Sequence, residues 1–299
     1  MRDSPAPGTF PGVPSTTLRL PVREPCDLGP LLEFFGRRAV AGIEAFAGDT
    51  YRRAFVHEGV AGWFELYPDT SAGVELAVHH PAAGAKAAVA ARVSRMFDLD
   101  ADAAAIARSF LADPLLGPLQ ARWPGQRVPG AFDGFEMAVR AVLGQQVSVA
   151  AARTLASRIV ARHGTSVALA CAPAVGMLFP PPAALVDAAL EREGVMRARA
   201  QTIRTLSAAV LEGRVGFAPG QSLEDFERSL LALPGIGPWT AQYLAMRALG
   251  HRDAFPAADL VLRRVAGQGR ALPAAELERM AEAWRPWRAH AVMLLWRAA

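Results

Sequence analysis

Lysine is almost missing from this chain: of its 32 lysine and arginine side chains, Lys86 is the only lysine. A reaction through a lysine Schiff base therefore has a single candidate, placed in the first third of the chain. Cysteine is nearly as scarce. Cys26 and Cys171 lack a metal-type spacing and make no disulfide framework, so a four-cysteine iron–sulfur cluster is excluded and a reducing compartment fits. No apolar run approaches the roughly twenty residues that a spanning helix needs, and no membrane partner is expected. Residues 1–15 are rich in Pro, Gly and Ser and lack a basic start followed by an apolar core, so they read as a disordered tail and not as a signal peptide. The expected compartment is the cytoplasm. The formal net charge is only +4. Arginine is the cation best suited to gripping phosphate, but an Ala- and Arg-rich composition also follows from GC-rich coding, and charge argues about association and not about fold.

The 299 residues allow one large domain or two to three small ones. Residues 16–100 read as an α+β domain. Strands are expected at Thr16–Leu20, Tyr51–His57, Ala61–Tyr67 and Gly73–His79. In the last, Val74, Leu76 and Val78 alternate with Glu75 and Ala77, the period-two pattern of a half-buried strand. Pro68, Asp69 and Gly73 mark a turn. Helices Leu28–Arg38 and Ala85–Phe97 pack against one face of the resulting antiparallel sheet. Residues 101–299 read as helical almost throughout. Helices are expected at Ala101–Ala112, Phe132–Leu143, Val147–His163, Ala183–Ala189, Met196–Glu212, Leu223–Ala232, Pro238–Leu249, Leu260–Ala266, Pro273–Ala283 and Pro286–Arg297, with Pro173–Pro182 as a surface loop.

The segment Leu233-Pro234-Gly235-Ile236-Gly237-Pro238-Trp239-Thr240-Ala241 lies between two helical patterns within about residues 223–249. Its two glycines permit backbone angles closed to other residues, and Pro238 suits the first turn of the following helix. Such a turn presents consecutive N–H groups at a positive helix end, a seat for a phosphate oxygen. The carbonyls on its other side offer oxygens to a monovalent cation. Gly-x-Gly by itself is weak evidence, and a plain helix–turn–helix corner has the same outline. Downstream, Asp259 closes Phe255-Pro256-Ala257-Ala258-Asp259 and precedes a helical run. An N-cap is the commonest role for such an aspartate, and an N-cap is also a fixed carboxylate.

Together, the hairpin and Asp259 resemble the signature of the helix-hairpin-helix base-excision DNA glycosylase superfamily, and within it most nearly the bacterial 3-methyladenine DNA glycosylases of type II. Further matches in order are Phe34–Ala39, Ser94–Leu99, Phe135–Ser148, Trp284–Arg288 and Leu294–Trp296, so the resemblance spans roughly Leu18 to Trp296. It implies an α+β N-terminal domain followed by two helical subdomains.

The resemblance also implies roles. Asp259 is the catalytic carboxylate, stabilising the oxocarbenium-like sugar and orienting water. Leu233, Gly235, Ile236, Gly237 and Thr240 form the DNA-backbone hairpin. The carbonyls of Leu231, Leu233 and Ile236 would hold sodium or potassium, with no other cofactor required. Phe34, Trp239, Tyr243 and Trp296 wall a pocket for an extruded, electron-poor base, although aromatics at helical spacing are more often core. Gln146 takes the place of the wedge that fills the gap in the duplex, where a polar helix cap is the competing reading. The expected partner is double-stranded DNA carrying damaged bases, met by a monomer at the nucleoid. The competing functions are a non-catalytic hairpin DNA-binding protein and a glycosylase for another lesion.

Bifunctional members of the superfamily carry a lysine nucleophile after the hairpin, where this chain has Trp239. Borohydride treatment during turnover is therefore expected to trap no covalent protein–DNA adduct; a trapped adduct on a gel contradicts the monofunctional assignment.

Overall fold

Two packed cores, one built on a sheet and one on helices, organise the computed structural model, which describes residues 15–69, 73–169 and 173–299. The expected tail at 1–15 lies outside the described residues except for Ser15, which opens the first strand. Strands β1 (Ser15–Pro21), β2 (Glu44–Ala47), β3 (Thr50–His57), β4 (Val60–Asp69) and β5 (Gly73–His79) form one antiparallel sheet in the order β1-β5-β4-β3-β2. Helices α1 (Leu28–Arg38) and α2 (Ala83–Met96) cover it. Leu31, Leu32 and Phe35 of α1 share a core with Tyr51, Phe64, Leu66, Val74, Leu76 and Val78. Each such side chain contributes on the order of 1.5–3 kcal/mol of transfer free energy. Pro68 and Asp69 do not turn the chain. They pair with Val74 and Gly73 as the end of β4, and residues 70–72 lie outside the described residues.

The sheet is buried on both faces, against the half-buried expectation. Ala77 and His79, on the face of β5 opposite Leu76, are each 2% exposed. The cover comes from the stretch expected to be a surface loop. There Pro173–Val175 makes a 3-10 turn, and Val175 packs against Ala54 and Trp63. Strand β7 (Met177–Leu178) pairs with β6 (Thr165–Ser166). Its proline-rich composition concealed a packing role that depends on a sheet more than one hundred residues away in sequence.

The helical region runs through α3 (Ala103–Phe110), α4 (Leu116–Arg122), α5 (Gly134–Leu143), α6 (Val149–His163), α7 (Pro182–Leu185), α8 (Arg197–Leu211), α9 (Leu223–Leu231), α10 (Pro238–Arg247), α11 (Leu260–Ala266), α12 (Ala274–Ala281) and α13 (Arg288–Arg297). Helix α4 was not expected; Gly117 and Pro118 fall in its first turn, where proline is tolerated, and Leu116 is buried. Strand β2 was also missed, being only four residues long. The expected helix 183–189 is shorter: it ends at Leu185, residues 186–189 turn out of it, and a 3-10 turn follows at Leu190–Glu193. The two cores exchange residues: Val40 and Ile43 pack with the helices, and Phe132 packs with the sheet.

A buried ion network fastens the sheet domain to α5. Glu44 and Arg53 face each other across β2 and β3, with Arg53 Nη1 donating to Glu44 Oε1 at 3.0 Å. The other end of Arg53 pairs with Glu136. Arg140 Nη1 bonds both Glu44 Oε2 at 3.0 Å and Glu136 Oε1 at 2.8 Å. Tyr51 donates its hydroxyl to Glu44 at 2.8 Å, and the Val40 amide adds another bond at 3.0 Å. Burial by itself pushes the Glu44 carboxyl up, but Arg140 and Arg53 overcome it and hold the carboxyl below its ordinary range. Burial and the Glu44 charge push Tyr51 well up.

Breaking one member of a buried pair leaves its partner uncompensated. The variant Glu44→Gln is expected to lose about 3 kcal/mol of stability at pH 7, read from urea unfolding midpoints. Because the folded carboxyl sits below its unfolded value of about 4.3, this contribution is full above that pH and is lost as pH falls through the depressed value. The gap between wild type and variant should shrink on acidification.

Candidate functional site in the cleft beside the hairpin

Helices α9 and α10 form the hairpin. Ser222 caps α9 by accepting the Asp225 amide at 3.1 Å, and Gly237 occupies the N-cap of α10 with Pro238 first in the helix. Gly235 adopts a φ of +88°, and a Cβ there would lie 2.0 Å from Thr202 Oγ1; only glycine fits. Gly237 has open space around it. The side chains of Leu233, Ile236 and Thr240 are buried at 2%, 5% and 4% exposure. They anchor the turn in the core, so any contact they make with a strand runs through the backbone alone. The amides of Gly235, Gly237, Trp239 and Thr240 donate to no acceptor among the described residues, which is the donor array that an anion requires. The Leu233 carbonyl accepts the Ile236 amide at 3.1 Å.

Asp259 is the N-cap of α11. Its Oδ1 accepts the Val261 and Leu262 amides at 2.9 and 3.0 Å and faces Trp296 Nε1 at 3.4 Å. Its Oδ2 accepts Trp239 Nε1 at 2.9 Å. It makes no salt bridge among the described residues and is half-buried. A carboxylate has about four acceptor sites, so Oδ2 keeps capacity for another partner. Capping and cleft roles thus coincide in one side chain.

Beside it lies a cavity of about 310 Å³, between the two cores, at the small end of small-molecule pockets. Phe34, Trp239, Tyr243 and Trp296 all line it. Trp239 and Tyr243 stack with centroids 5.0 Å apart and planes 9° apart, and Trp296 lies 6.3 Å from Tyr243. Asp259 does not itself line the cavity; it is joined to it through the indole N–H groups of Trp239 and Trp296, whose rings do. Gln146 is exposed, with a left-handed φ of +55°, between Gly144 and Val147 of the lining. It caps no helix; Ser148 caps α6 by accepting the Ala151 amide at 3.2 Å.

Several residues in and around the site carried no assignment in the sequence. Gln145 Nε2 donates to Gly235 O at 3.0 Å and to Thr240 Oγ1 at 3.3 Å, tying the α5–α6 turn to the hairpin. Arg38, Arg53, Arg140, Arg153 and Arg247 line the cavity with Glu44, Asp133 and Glu136. The Glu136–Arg140 spacing of four along a helix was a readable ion-pair signal; its burial was not. Of the arginines near Asp259 in sequence, Arg288 is buried on Asp253 and Arg285 bonds Asp253 and Glu282. Arg263 bonds the Leu272 carbonyl, while Arg264 is exposed.

Residues 139–289 match the model of the HhH-GPD superfamily base excision DNA repair protein, half of the chain, and residues 17–133 match the AlkA N-terminal domain. The chain belongs to the HhH-GPD superfamily of base excision DNA repair proteins. Among its relatives, DNA-3-methyladenine glycosylase 2 of Escherichia coli K12 is 34% identical over 285 residues, covering 91% of this chain and 94% of that protein. A Mycobacterium tuberculosis relative named "Probable bifunctional transcriptional activator/DNA repair enzyme AlkA" is 39% identical over 284 residues. This chain spans 57% of that protein's length. The fold of this HhH-GPD chain also matches the solved 3-methyladenine DNA glycosylase of Archaeoglobus fulgidus, with a TM-score of 0.79 and 23% identity over 93% of this chain and 96% of that one.

Gly235→Ala is expected to cost about 1–3 kcal/mol or more, since the added methyl meets Thr202 at a positive φ. Gly237→Ala should cost only about 0.5–1 kcal/mol, the loss of a glycine N-cap. Melting temperatures separate the two, and equal shifts contradict the turn geometry.

Proposed function

We propose that the protein is a monofunctional DNA glycosylase that hydrolyses the N-glycosidic bond of alkylated purines, such as 3-methyladenine and 7-methylguanine, in base excision repair. One observation carries the reading: a carboxylate without a cationic partner among the described residues, pinned by two backbone amides and by the indole N–H groups of two tryptophans that wall an aromatic-lined cavity, next to a turn with unused amides. The kinship with glycosylases named for 3-methyladenine supports the substrate class.

In this reading the turn seats a phosphate on its free amides. The damaged nucleotide leaves the stack, because its glycosidic bond is unreachable in the duplex. The base enters the cavity, and Asp259 Oδ2 faces the sugar. As the bond breaks, positive charge grows on the sugar, and the fixed carboxylate stabilises it without reorganising. The same oxygen orients the attacking water, whose proton it accepts. Gln146, exposed on a strained turn at the cavity mouth, fills the vacated stack. At the hairpin, the Leu231 and Ile236 carbonyls receive no backbone amide among the described residues. Together with the Leu233 carbonyl they suit a monovalent cation, which would supply positive charge to the seated phosphate. The protein acts on double-stranded DNA as a monomer, at the nucleoid of a bacterial cytoplasm; no helix among the described residues is long and apolar enough to cross a membrane.

Asp259→Asn keeps one capping oxygen and removes the charge. It is expected to bind abasic-site DNA within about threefold of wild type and to release methylated bases on the order of 10²–10³-fold more slowly. Base release at the wild-type rate sinks the catalytic assignment, and a wild type that binds DNA but releases no base returns the protein to the DNA-binding alternative.

A further inference from the structure

The turn between α5 and α6 is weakly fixed by its own backbone. Among the described residues, the Gln145 amide reaches Val142 O at 3.3 Å and the Val147 amide reaches Gly144 O at 3.5 Å, both beyond the ordinary N–H···O range. At the tip, Gln146 is exposed with a φ of +55°. A side chain is strained in that region, and such strain persists only where the surroundings over-determine the backbone.

The neighbouring side chain provides the missing constraint. Gln145 Nε2 crosses 90 residues of sequence to donate to Gly235 O at 3.0 Å, and it also reaches Thr240 Oγ1 at 3.3 Å. The Gly235 carbonyl receives no backbone amide among the described residues, so Gln145 supplies its donor. Both acceptors belong to the hairpin, Gly235 in its turn and Thr240 in the first turn of α10. The hairpin is itself a firm base, because Thr202 Oγ1 of α8 stands 3.1 Å from Pro234 O on the other flank. A carbonyl can only accept, so the contact requires the NH2 group of Gln145; a carboxylate of the same shape would set oxygen against oxygen. The two adjacent glutamines thus face opposite ways. Gln145 turns inward to the hairpin, and Gln146 stands out at the cavity mouth.

We propose that Gln145 is a positioning residue that braces the Gln146 turn against the hairpin, so that seating a phosphate on the hairpin sets how far Gln146 enters the duplex and favours extrusion of the base. This rests on the glycosylase reading and concerns its extrusion step. Cutting the brace leaves Asp259 and the hairpin amides in place and lets the strained tip relax. The loss should therefore be felt where extrusion must break a base pair, and little where no pair exists.

Single-turnover base release from duplexes carrying one 7-methylguanine, opposite either cytosine or an abasic analogue, separates the two cases. Gln145→Met keeps an unbranched stem and removes the donor. It should slow release about tenfold opposite cytosine and less than about twofold opposite the analogue. The fluorescence of a 2-aminopurine next to the lesion, which rises when its neighbour leaves the stack, should rise less in the variant opposite cytosine. Gln145→Glu should slow release at least as much, and it decides the matter if the methionine variant does not fold. Since Gln145 acts through Gln146, adding Gln145→Met to Gln146→Ala should slow release by less than about twofold more, whereas independent effects multiply. No slowing opposite cytosine, equal slowing on both duplexes, multiplied effects in the double variant or an unchanged fluorescence rise each overturn the inference and leave the glycosylase reading intact. Release from neither duplex by wild type overturns both.

Discussion

The hydrogen bonding of one carboxylate holds this site together. Asp259 ends the irregular segment after the hairpin and starts α11 by taking two of its free amides. The same group takes the indole of Trp239, from the first turn of α10, and faces the indole of Trp296, from the last turn of α13. Three helices therefore meet on two oxygens, and the walls of the cavity are oriented by the group that would act on the sugar. Since all four donors are N–H groups and none is a formal cation, the charge is fixed in place without being cancelled.

The second constraint is electrostatic and works across the domain boundary. Two carboxylates and two guanidiniums, buried where β2 and β3 meet α5, neutralise one another and lock the sheet domain against the helices. The cavity lies along that seam, so its shape depends on both cores. Arg38 and Arg247 sit on the same seam without carboxylates. Their charges are tolerated because Phe34, Tyr243 and backbone carbonyls provide the compensation. A pocket with paired charges on one wall, unpaired cations on another and a carboxylate bonded to two of its indoles has a direction, which a purely aromatic pocket lacks.

Much of the architecture was legible because period and punctuation are local. Strand β5 and helix α11 fall at the residues expected, and most other helices differ at their ends by one or two positions, where capping geometry decides. The failures share a cause. Strand β2 and helix α4 are short, and the 173–182 stretch looks like solvent-exposed loop, yet each is ordered by burial against residues distant in sequence.

The hairpin and Asp259 were determined by the sequence itself, since glycine at a positive φ, proline in a first helical turn and aspartate at an N-cap are rules of the local backbone. The four expected aromatics also meet in one cavity, as their resemblance to the glycosylases implied. What only the tertiary structure decided is how charge is distributed around them. Which guanidinium finds a carboxylate, and which is left on the face of a ring, depends on how β2, β3, α1, α5 and α10 come together. Coulomb and desolvation energies depend on distance and burial in space, quantities that separation along a chain does not contain.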